Sequence, residues 1–358
     1  MLKKIKTKYR LILTILFIAL NALIIAITAV NEFGDSENAA ELSEVKIIWW
    51  LLIPAALAFV VSIVASVWKF VMMIRELGDP DGKIPKKEIW KTAWRVLMLG
   101  RYYDNVTPAA VGGQPFQIYY MHKYGGISSG HASSIPIFGM VSTQIGFIII
   151  ALFCFTFGNV FGEKPTLQVM AWVGLAFCAF WPTIMIGIKY FPEITMKFIR
   201  FCVLILSKVR IIKDYKKAIS EVEKNVREYS SSVNMIFKSR KLFIKVVLLS
   251  VIFNFLTVLI PFFVVRAFGG NIGFIECFTM TVAVMAAVYF IPTPGNAGAA
   301  EGTFYAVFSS LSTGYIFWAM LVWRFFTFFV YIIVGPLIHL HMYLEKKHNK
   351  KPGKHKKL

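Results

Sequence analysis

The chain has 358 residues, of which 57% are hydrophobic and 16% are charged, and its formal net charge is +20. Apolar stretches of about 20 residues, the length that crosses a bilayer, recur along the chain and leave no room for a large soluble domain. The basic residues lie in short segments that flank these stretches, and no base-stacking or groove-reading element accompanies them. Nucleic acid is therefore excluded as an expected partner.

The apolar stretches predict an all-α, polytopic membrane protein with seven or eight transmembrane helices. The strong stretches are Leu11–Val30, Ile47–Ile74, Ser134–Phe157, Leu167–Tyr190, Leu242–Phe268, Phe274–Ile291 and Tyr315–His341. The first follows a basic segment, as the apolar part of a cleaved signal peptide does. Its apolar run is longer than is typical of a signal peptide, which favours an uncleaved first helix.

Charge in the connecting segments predicts the orientation, because lysine and arginine are in excess on the cytoplasmic side. The N-terminal segment 1–10 is basic, whereas the segment 31–46 carries five acidic residues against one lysine. The segments 75–101 and 189–245 and the tail 346–358 are basic again. We therefore expect a multi-pass protein of the cell (cytoplasmic) membrane, with both termini in the cytoplasm.

One soluble segment, residues 208–241, interrupts the membrane part of the chain, residues 1–345. Its apolar residues recur every three or four positions, and lysines and glutamates occupy the rest. This spacing predicts an amphipathic helix on the cytoplasmic surface that braces the membrane helices. A regulatory role for this helix is the alternative.

The stretch Arg101–Lys123 is too polar and too interrupted for an ordinary membrane span. Its polar residues and helix breakers are Asp104, Asn105, Thr107, Pro108, Gly112, Gly113, Gln114 and Gln117. Proline removes a backbone donor and glycine loosens a helix, so we expect the backbone to break here. In a bilayer, broken backbone must be covered by protein or by a water-filled cavity. We interpret the stretch as a re-entrant element from the cytoplasmic side; an ordinary polar loop is the alternative.

A second broken stretch, Tyr289–Tyr305, shares the pattern Thr-Pro-x-x-x-Gly with the first. Its relevant residues are Pro292, Thr293, Pro294, Gly295, Asn296, Gly298, Glu301 and Gly302. Delivering the basic tail to the cytoplasm requires residues 274–311 to enter and leave on the outer side, which predicts a second re-entrant element of opposite sense. The alternative is that both of its halves cross fully. Paired broken segments in two halves of a chain indicate a transporter's binding site.

Ionisable residues at membrane depth are functional candidates because burying charge there is costly. These are Asp104, Lys123, Glu301 and Arg324. We expect an ion pair between Glu301 and Arg324, unless Arg324 reaches the membrane surface. Helix N-termini at the breaks suit a phosphate or a carboxylate, and the two carboxylates would recognise an amine or offset the positive field. An amphiphile with an anionic phosphate and a polar or cationic head fits; small solutes and ions stay open.

No catalytic residue, metal site or cofactor is predicted. The chain has no Gly-x-Ser-x-Gly elbow, no P-loop and no His-Glu-x-x-His motif. Its four cysteines fall in or beside apolar segments without a close pair, which is typical of small buried apolar residues.

At the two broken stretches the chain resembles the lysylphosphatidylglycerol synthase transmembrane family, also described as flippase-like integral membrane proteins. The segments that carry the resemblance are Asn105–Pro108, Gly112–Gln117, Pro292–Gly295 and Glu301–Gly302, with Gly298 and Arg324. Where the family often has Gly-Asp and an arginine after the first glycines, this chain has Gln114 and Gln117. The order and spacing match over nearly the full length.

The resemblance implies a flippase-like transmembrane domain over residues 1–345. Such a domain would move an anionic, aminoacylated or lipid-linked headgroup between leaflets, and its partners would be membrane lipids. An alternative is the membrane part of a phosphatidylglycerol lysyltransferase, whose product protects against cationic antimicrobial peptides. The sequence shows no aminoacyltransferase domain, so this alternative expects a separate cytosolic synthase. A small-solute carrier is the third interpretation.

Overall fold

The computed structural model describes residues 47–107, 110, 112–157, 165–208, 214–215, 218–220, 234, 236–289, 291, 293–308 and 313–349. All regular secondary structure in these residues is helical. The predicted first helix Leu11–Val30, the acidic segment 31–46, most of the amphipathic segment 208–241 and the tail 350–358 lie outside the described residues.

The first described part of the chain, residues 47–124, contains three helices. Helix α1 (Leu52–Met73) extends a short 3-10 turn and ends in a π-helical turn, Ile74–Gly78. Asp79 then closes the connection, because its carboxylate accepts hydrogen bonds from the backbone N–H groups of Lys83 and Ile84, both at 2.8 Å. Helices α2 (Lys86–Val106) and α3 (Gly113–Tyr124) follow and pack against each other as a hairpin.

The described residues in the middle of the chain form four helices: α4 (Ser129–Phe157), α5 (Pro165–Tyr190), α6 (Pro192–Lys208) and α7 (Arg240–Ala267). Helix α7 lies centrally, since it packs along α1 and also contacts α4. Close approach between helices depends on glycines in two places: Gly146 lies against the Ser250 backbone of α7, and Gly174 lies against the Ala286 carbonyl. Small residues at contacts are the usual means of packing membrane helices.

The last part of the bundle contains a second helical hairpin. Helix α8 (Phe274–Val288) and helix α9 (Ala299–Phe308) pack against each other and are separated by a 3-10 turn, Pro294–Asn296. Helix α10 (Thr313–Arg324) then continues through a π-helical turn, Phe325–Phe329, into α11 (Val330–Asn349).

Five of the described helical segments are long and apolar enough to cross a membrane. They are Trp49–Gly78, His131–Phe157, Thr166–Tyr190, Arg240–Ala267 and Ile316–Glu345. Each overlaps a predicted stretch, so those five predictions are confirmed by length and composition. Helix α8 is apolar but has 15 residues, about 22 Å, which is short of the roughly 30 Å hydrocarbon core.

The first broken stretch, which begins at Arg101, starts inside a helix. Helix α2 carries Trp90 and Trp94 and runs without a break from Lys86 to Val106. Both tryptophans are exposed, while Ala93 and residues 96–100 of the same helix are buried. One helix therefore joins the expected membrane surface to the broken stretch.

Candidate functional site

The first break is the tip of the α2–α3 hairpin. Helix α2 ends at Val106 and is followed by Thr107, whose backbone is extended and whose hydroxyl donates to the Tyr103 carbonyl at 2.7 Å. The same hydroxyl accepts the Gly112 N–H at 2.9 Å, and the Asp104 carboxylate accepts the Gly113 N–H at 2.9 Å. Two side chains from the last turn of α2 thus cap the N-terminus of α3, which otherwise leaves unpaired N–H groups.

The double glycine is required by this close capping. A Cβ atom at Gly112 would overlap the Thr107 side chain, and one at Gly113 would overlap the Asp104 carboxyl group.

The second break is the tip of the α8–α9 hairpin, and its following helix is capped in the same way. Gly295, Asn296 and Gly298 all have positive φ, at 59°, 55° and 82°. The Glu301 carboxylate accepts the Gly298 N–H at 2.7 Å, as the acid of a capping box does at the start of a helix. In both hairpins, therefore, a carboxylate caps the helix that follows the break.

The expected ion pair between Glu301 and Arg324 is present. Arg324 Nε lies 2.5 Å from Glu301 Oε1, with the side chains 7% and 9% exposed, respectively. This contact is an ion pair by distance, but its N–H does not have hydrogen-bond geometry. The guanidinium also donates to the Gly295 carbonyl at 3.1 Å and lies 4.6 Å from the Phe328 ring centre. Arg324 is thus held inside the protein, and the alternative that it reaches the membrane surface is wrong.

The two hairpin tips meet. A Cβ atom at Gly295 would lie 3.2 Å from the Asn105 carbonyl oxygen and would overlap the Phe328 ring. Farther along α11, a Cβ atom at Gly335 would overlap the Tyr102 ring. The end of α2 therefore packs against both the second tip and α11, and the structure brings the two broken stretches into one centre.

The family model described as the lysylphosphatidylglycerol synthase TM region matches residues 11–335. The chain belongs to this family. The match includes both hairpins and their tips. No curated protein matches the chain.

Several predicted site residues of this family member lie away from the centre or make hydrogen bonds within the hairpins. Gln117 is buried and donates to the Val96 carbonyl at 3.0 Å, which ties α3 to α2. Lys123 is exposed at the far end of α3 and donates to the Tyr119 hydroxyl at 2.7 Å. Gln114 is half-buried, and Gly302 is exposed with open space around it. Pro108 and Pro292 lie outside the described residues.

Lys69 is a buried basic residue that sequence reasoning missed. It lies in α1 with 3% of its surface exposed, and its ammonium donates to Thr143 Oγ1 at 2.7 Å and to Ser250 Oγ and the Gly139 carbonyl at 3.2 Å. None of these groups is charged, and no carboxylate of the described residues lies within 4 Å. A signal was available, since Lys69 is the one charged residue between Ile47 and Ile74.

Arg101 connects Lys69 with the hairpin tips. Its guanidinium lies 5.1 Å from the Phe253 ring centre and interacts electrostatically with Lys69, Asp104 and Tyr289. The Tyr289 hydroxyl accepts a hydrogen bond from Gln144 Nε2 at 2.5 Å. Gln144 Oε1 on the same side chain and Thr293 Oγ1 in the second break are buried and have no hydrogen-bond partner among the described residues. Such atoms are costly unless a ligand or water contacts them.

Proposed function

We propose that the chain moves the headgroup of an anionic or aminoacylated phospholipid, or of a lipid-linked intermediate, between the two leaflets of the cell membrane. The headgroup would pass the centre where the hairpin tips meet, while the acyl chains stay in the surrounding lipid. Membership of the lysylphosphatidylglycerol synthase TM family supports a lipid rather than a small solute as the substrate.

The order of the helices supports two re-entrant hairpins that open to opposite sides. Helix α3 has 12 residues and α9 has 10, about 18 Å and 15 Å, so neither reaches across the hydrocarbon core. Each hairpin would return to the side where it began. Three candidate spans lie between the hairpins, in α4, α5 and α7, and an odd number of crossings would put the hairpins on opposite sides. This arrangement is typical of alternating-access carriers.

The observation that carries the proposal is the pairing of basic and acidic side chains at the centre. The basic side chains are Lys69, Arg101 and Arg324, and the acidic side chains are Asp104 and Glu301. Glu301 pairs with Arg324, and Asp104 interacts with Arg101, which leaves Lys69 without a carboxylate partner among the described residues. A phosphodiester carries one negative charge, and beside Lys69 it would favour the charged ammonium, which is costly at low dielectric without a counter-ion.

The capping carboxylates occupy backbone N–H groups that could otherwise bind a phosphate. Asp104 and Glu301 already accept the N–H groups of Gly113 and Gly298, so they offset the positive field of both helix N-termini. A phosphate would therefore interact chiefly with Lys69 and Arg101 instead of with backbone N–H groups. In an aminoacylated lipid, the ammonium would pair with one of the capping carboxylates.

A leaflet-exchange assay in proteoliposomes tests the proposal. Labelled phosphatidylglycerol, lysylphosphatidylglycerol and a polyprenyl phosphate are offered in parallel, and exchange of at least one is expected to exceed that of protein-free vesicles. Lys69→Met should slow the exchange by about 10-fold or more, because a hydrogen bond to a charged group contributes roughly 1.5–3 kcal/mol. Lys245→Met is the matched control, since Lys245 is exposed near the start of α7.

The assay has two results that would contradict the proposal. Folded protein that exchanges no lipid would favour the membrane part of an aminoacyl-lipid synthase, which needs a separate catalytic partner. Equal rates of lipid exchange in Lys69→Met and Lys245→Met would show that Lys69 does not contact the headgroup as it crosses. Thermal unfolding of each variant separates these results from loss of the fold.

A further inference from the structure

A second concave site lies at the other end of the α2–α3 hairpin, away from the tips. The first turns of α2, the last turns of α3 and the end of α11 enclose a cavity of about 560 Å³. Its polar lining includes Lys91, Arg95, Tyr120, Tyr124, His339 and Glu345. The basic flanking segments predict that this end of the bundle faces the cytoplasm.

Arg95 is the buried charge of this cavity, with 7% of its surface exposed. One of its terminal nitrogens donates to Glu345 Oε2 at 2.8 Å, and the other donates to the Tyr120 hydroxyl at 3.3 Å. A guanidinium has five N–H donors in a planar fork that matches phosphate oxygens. These bonds leave donors of a preorganised arginine in the wall of a cavity.

The charges around Arg95 favour an anion. Glu345 is shared, because its Oε1 also lies 3.2 Å from the ammonium of Lys91. One carboxylate thus holds two cations, and the other acid of the lining, Glu88, is exposed to solvent. The lining as a whole holds two bases and two acids, so the positive charge is local to Arg95 and Lys91, which share Glu345 and have the Tyr120 and Tyr124 hydroxyls in the same lining.

The surroundings of the cavity favour a lipid as the source of the anion. Tyr343 of α11 lines the cavity and is exposed, and the neighbouring Leu344 is exposed as well. Tryptophan and tyrosine prefer the depth of the lipid headgroups. A molecule with a phosphate in the cavity and an apolar part against these side chains would satisfy both surfaces.

We propose that this cavity binds the phosphate of an anionic phospholipid headgroup through Arg95 and Lys91, separately from the centre at the hairpin tips. The inference rests on the proposed function only in taking a lipid as the source of the phosphate. Glu345 acts as a positioning residue that holds the two cations ready and gives way to the phosphate. Binding here would hold a headgroup at the cytoplasmic end of the path.

The test maps binding directly in phosphatidylcholine nanodiscs that contain a small fraction of phosphatidylglycerol with a photoreactive group near its phosphate. Crosslinks are expected on residues 88–95 and 338–345, and unlabelled phosphatidylglycerol should compete with them. Arg95→Gln and Lys91→Gln should each lower the yield by about 10-fold, since each removes a charged hydrogen-bond donor. Lys87→Gln, an exposed lysine of the same helix outside the cavity, should leave the yield unchanged.

The variant Glu345→Gln tests whether the cavity binds an anion or a cation. It should raise the phosphatidylglycerol crosslink several-fold, because the competing carboxylate charge is removed while Arg95 and Lys91 remain. Loss of the crosslink in folded Glu345→Gln would overturn the proposal in favour of a cation site. Competition by glycerol 3-phosphate but not by phosphatidylglycerol would overturn the lipid assignment, as would equal yields in Lys91→Gln and Lys87→Gln.

The failure of this inference is distinguishable from failure of the proposed function. Lys69→Met is expected to slow leaflet exchange and to leave the crosslink at residues 88–95 unchanged. Exchange without this crosslink would overturn the cavity proposal alone, and a crosslink without exchange would overturn the transport proposal alone.

Discussion

The buried pair of Glu301 and Arg324 gives the sharpest prediction of stability. Glu301→Gln keeps the shape and an acceptor for the Gly298 N–H, but it leaves the Arg324 charge uncompensated with its side chain 7% exposed. Removing one partner of a buried ion pair costs about 3–5 kcal/mol. The Phe328 ring and the Gly295 carbonyl still contact the guanidinium, so we expect a loss of about 3 kcal/mol in the free energy of unfolding.

The measurement is reversible unfolding by sodium dodecyl sulfate in mixed micelles, applied to a double-mutant cycle. Arg324→Gln alone should also destabilise strongly, whereas the double variant should lose about 2 kcal/mol less than the sum of the single losses. Glu276→Gln is the control, because Glu276 is exposed in the first turn of α8, and its effect should stay within about 0.5 kcal/mol. Additive single losses below about 1 kcal/mol would refute the reasoning.

Two further predictions concern glycines and use the same unfolding assay. Gly113→Ala should destabilise the protein by about 1–3 kcal/mol, because the added Cβ overlaps the Asp104 carboxyl group. Gly302→Ala is its control: nothing lies within 4 Å of an added Cβ, so this helical change should be neutral or stabilising by up to about 1 kcal/mol. Gly174→Ala should also lower the free energy of unfolding by about 1–3 kcal/mol, since its Cβ overlaps the Ala286 carbonyl. If Gly174→Ala changed the free energy of unfolding no more than Gly302→Ala does, helices α5 and α8 would move apart at little cost.

The broken stretches could be predicted because proline and glycine act locally. The two Thr-Pro-x-x-x-Gly patterns indicated where the helices stop, and the structure has non-helical backbone in both places. The continuity of α2 could not be predicted in this way. Its first half is amphipathic, a pattern that fits both a helix on the membrane surface and a helix packed against protein, and packing against α3 and α11 decides between them.

The charged centre was predicted in part. A lone Glu301 and a lone Arg324 in apolar surroundings indicated an ion pair because neither is stable unpaired in a membrane. The same argument applies to Lys69, yet its partners are two hydroxyls and a carbonyl. Such uncharged partners cannot be predicted from the pattern of charges in the sequence. Gln117 was expected at a ligand, but its amide reaches a backbone carbonyl of the preceding helix.

The sequence by itself determined the class of this protein, its candidate spans and its two breaks, because hydropathy and backbone chemistry are properties of short segments. Only the tertiary structure decided that the two tips meet, with Gly295 against the Asn105 carbonyl, and that Arg95 and Lys91 share Glu345 across a cavity. These pairs are far apart in the chain. Helical periodicity indicates which face of a helix is buried, but the neighbour of that face follows from how all the helices pack together.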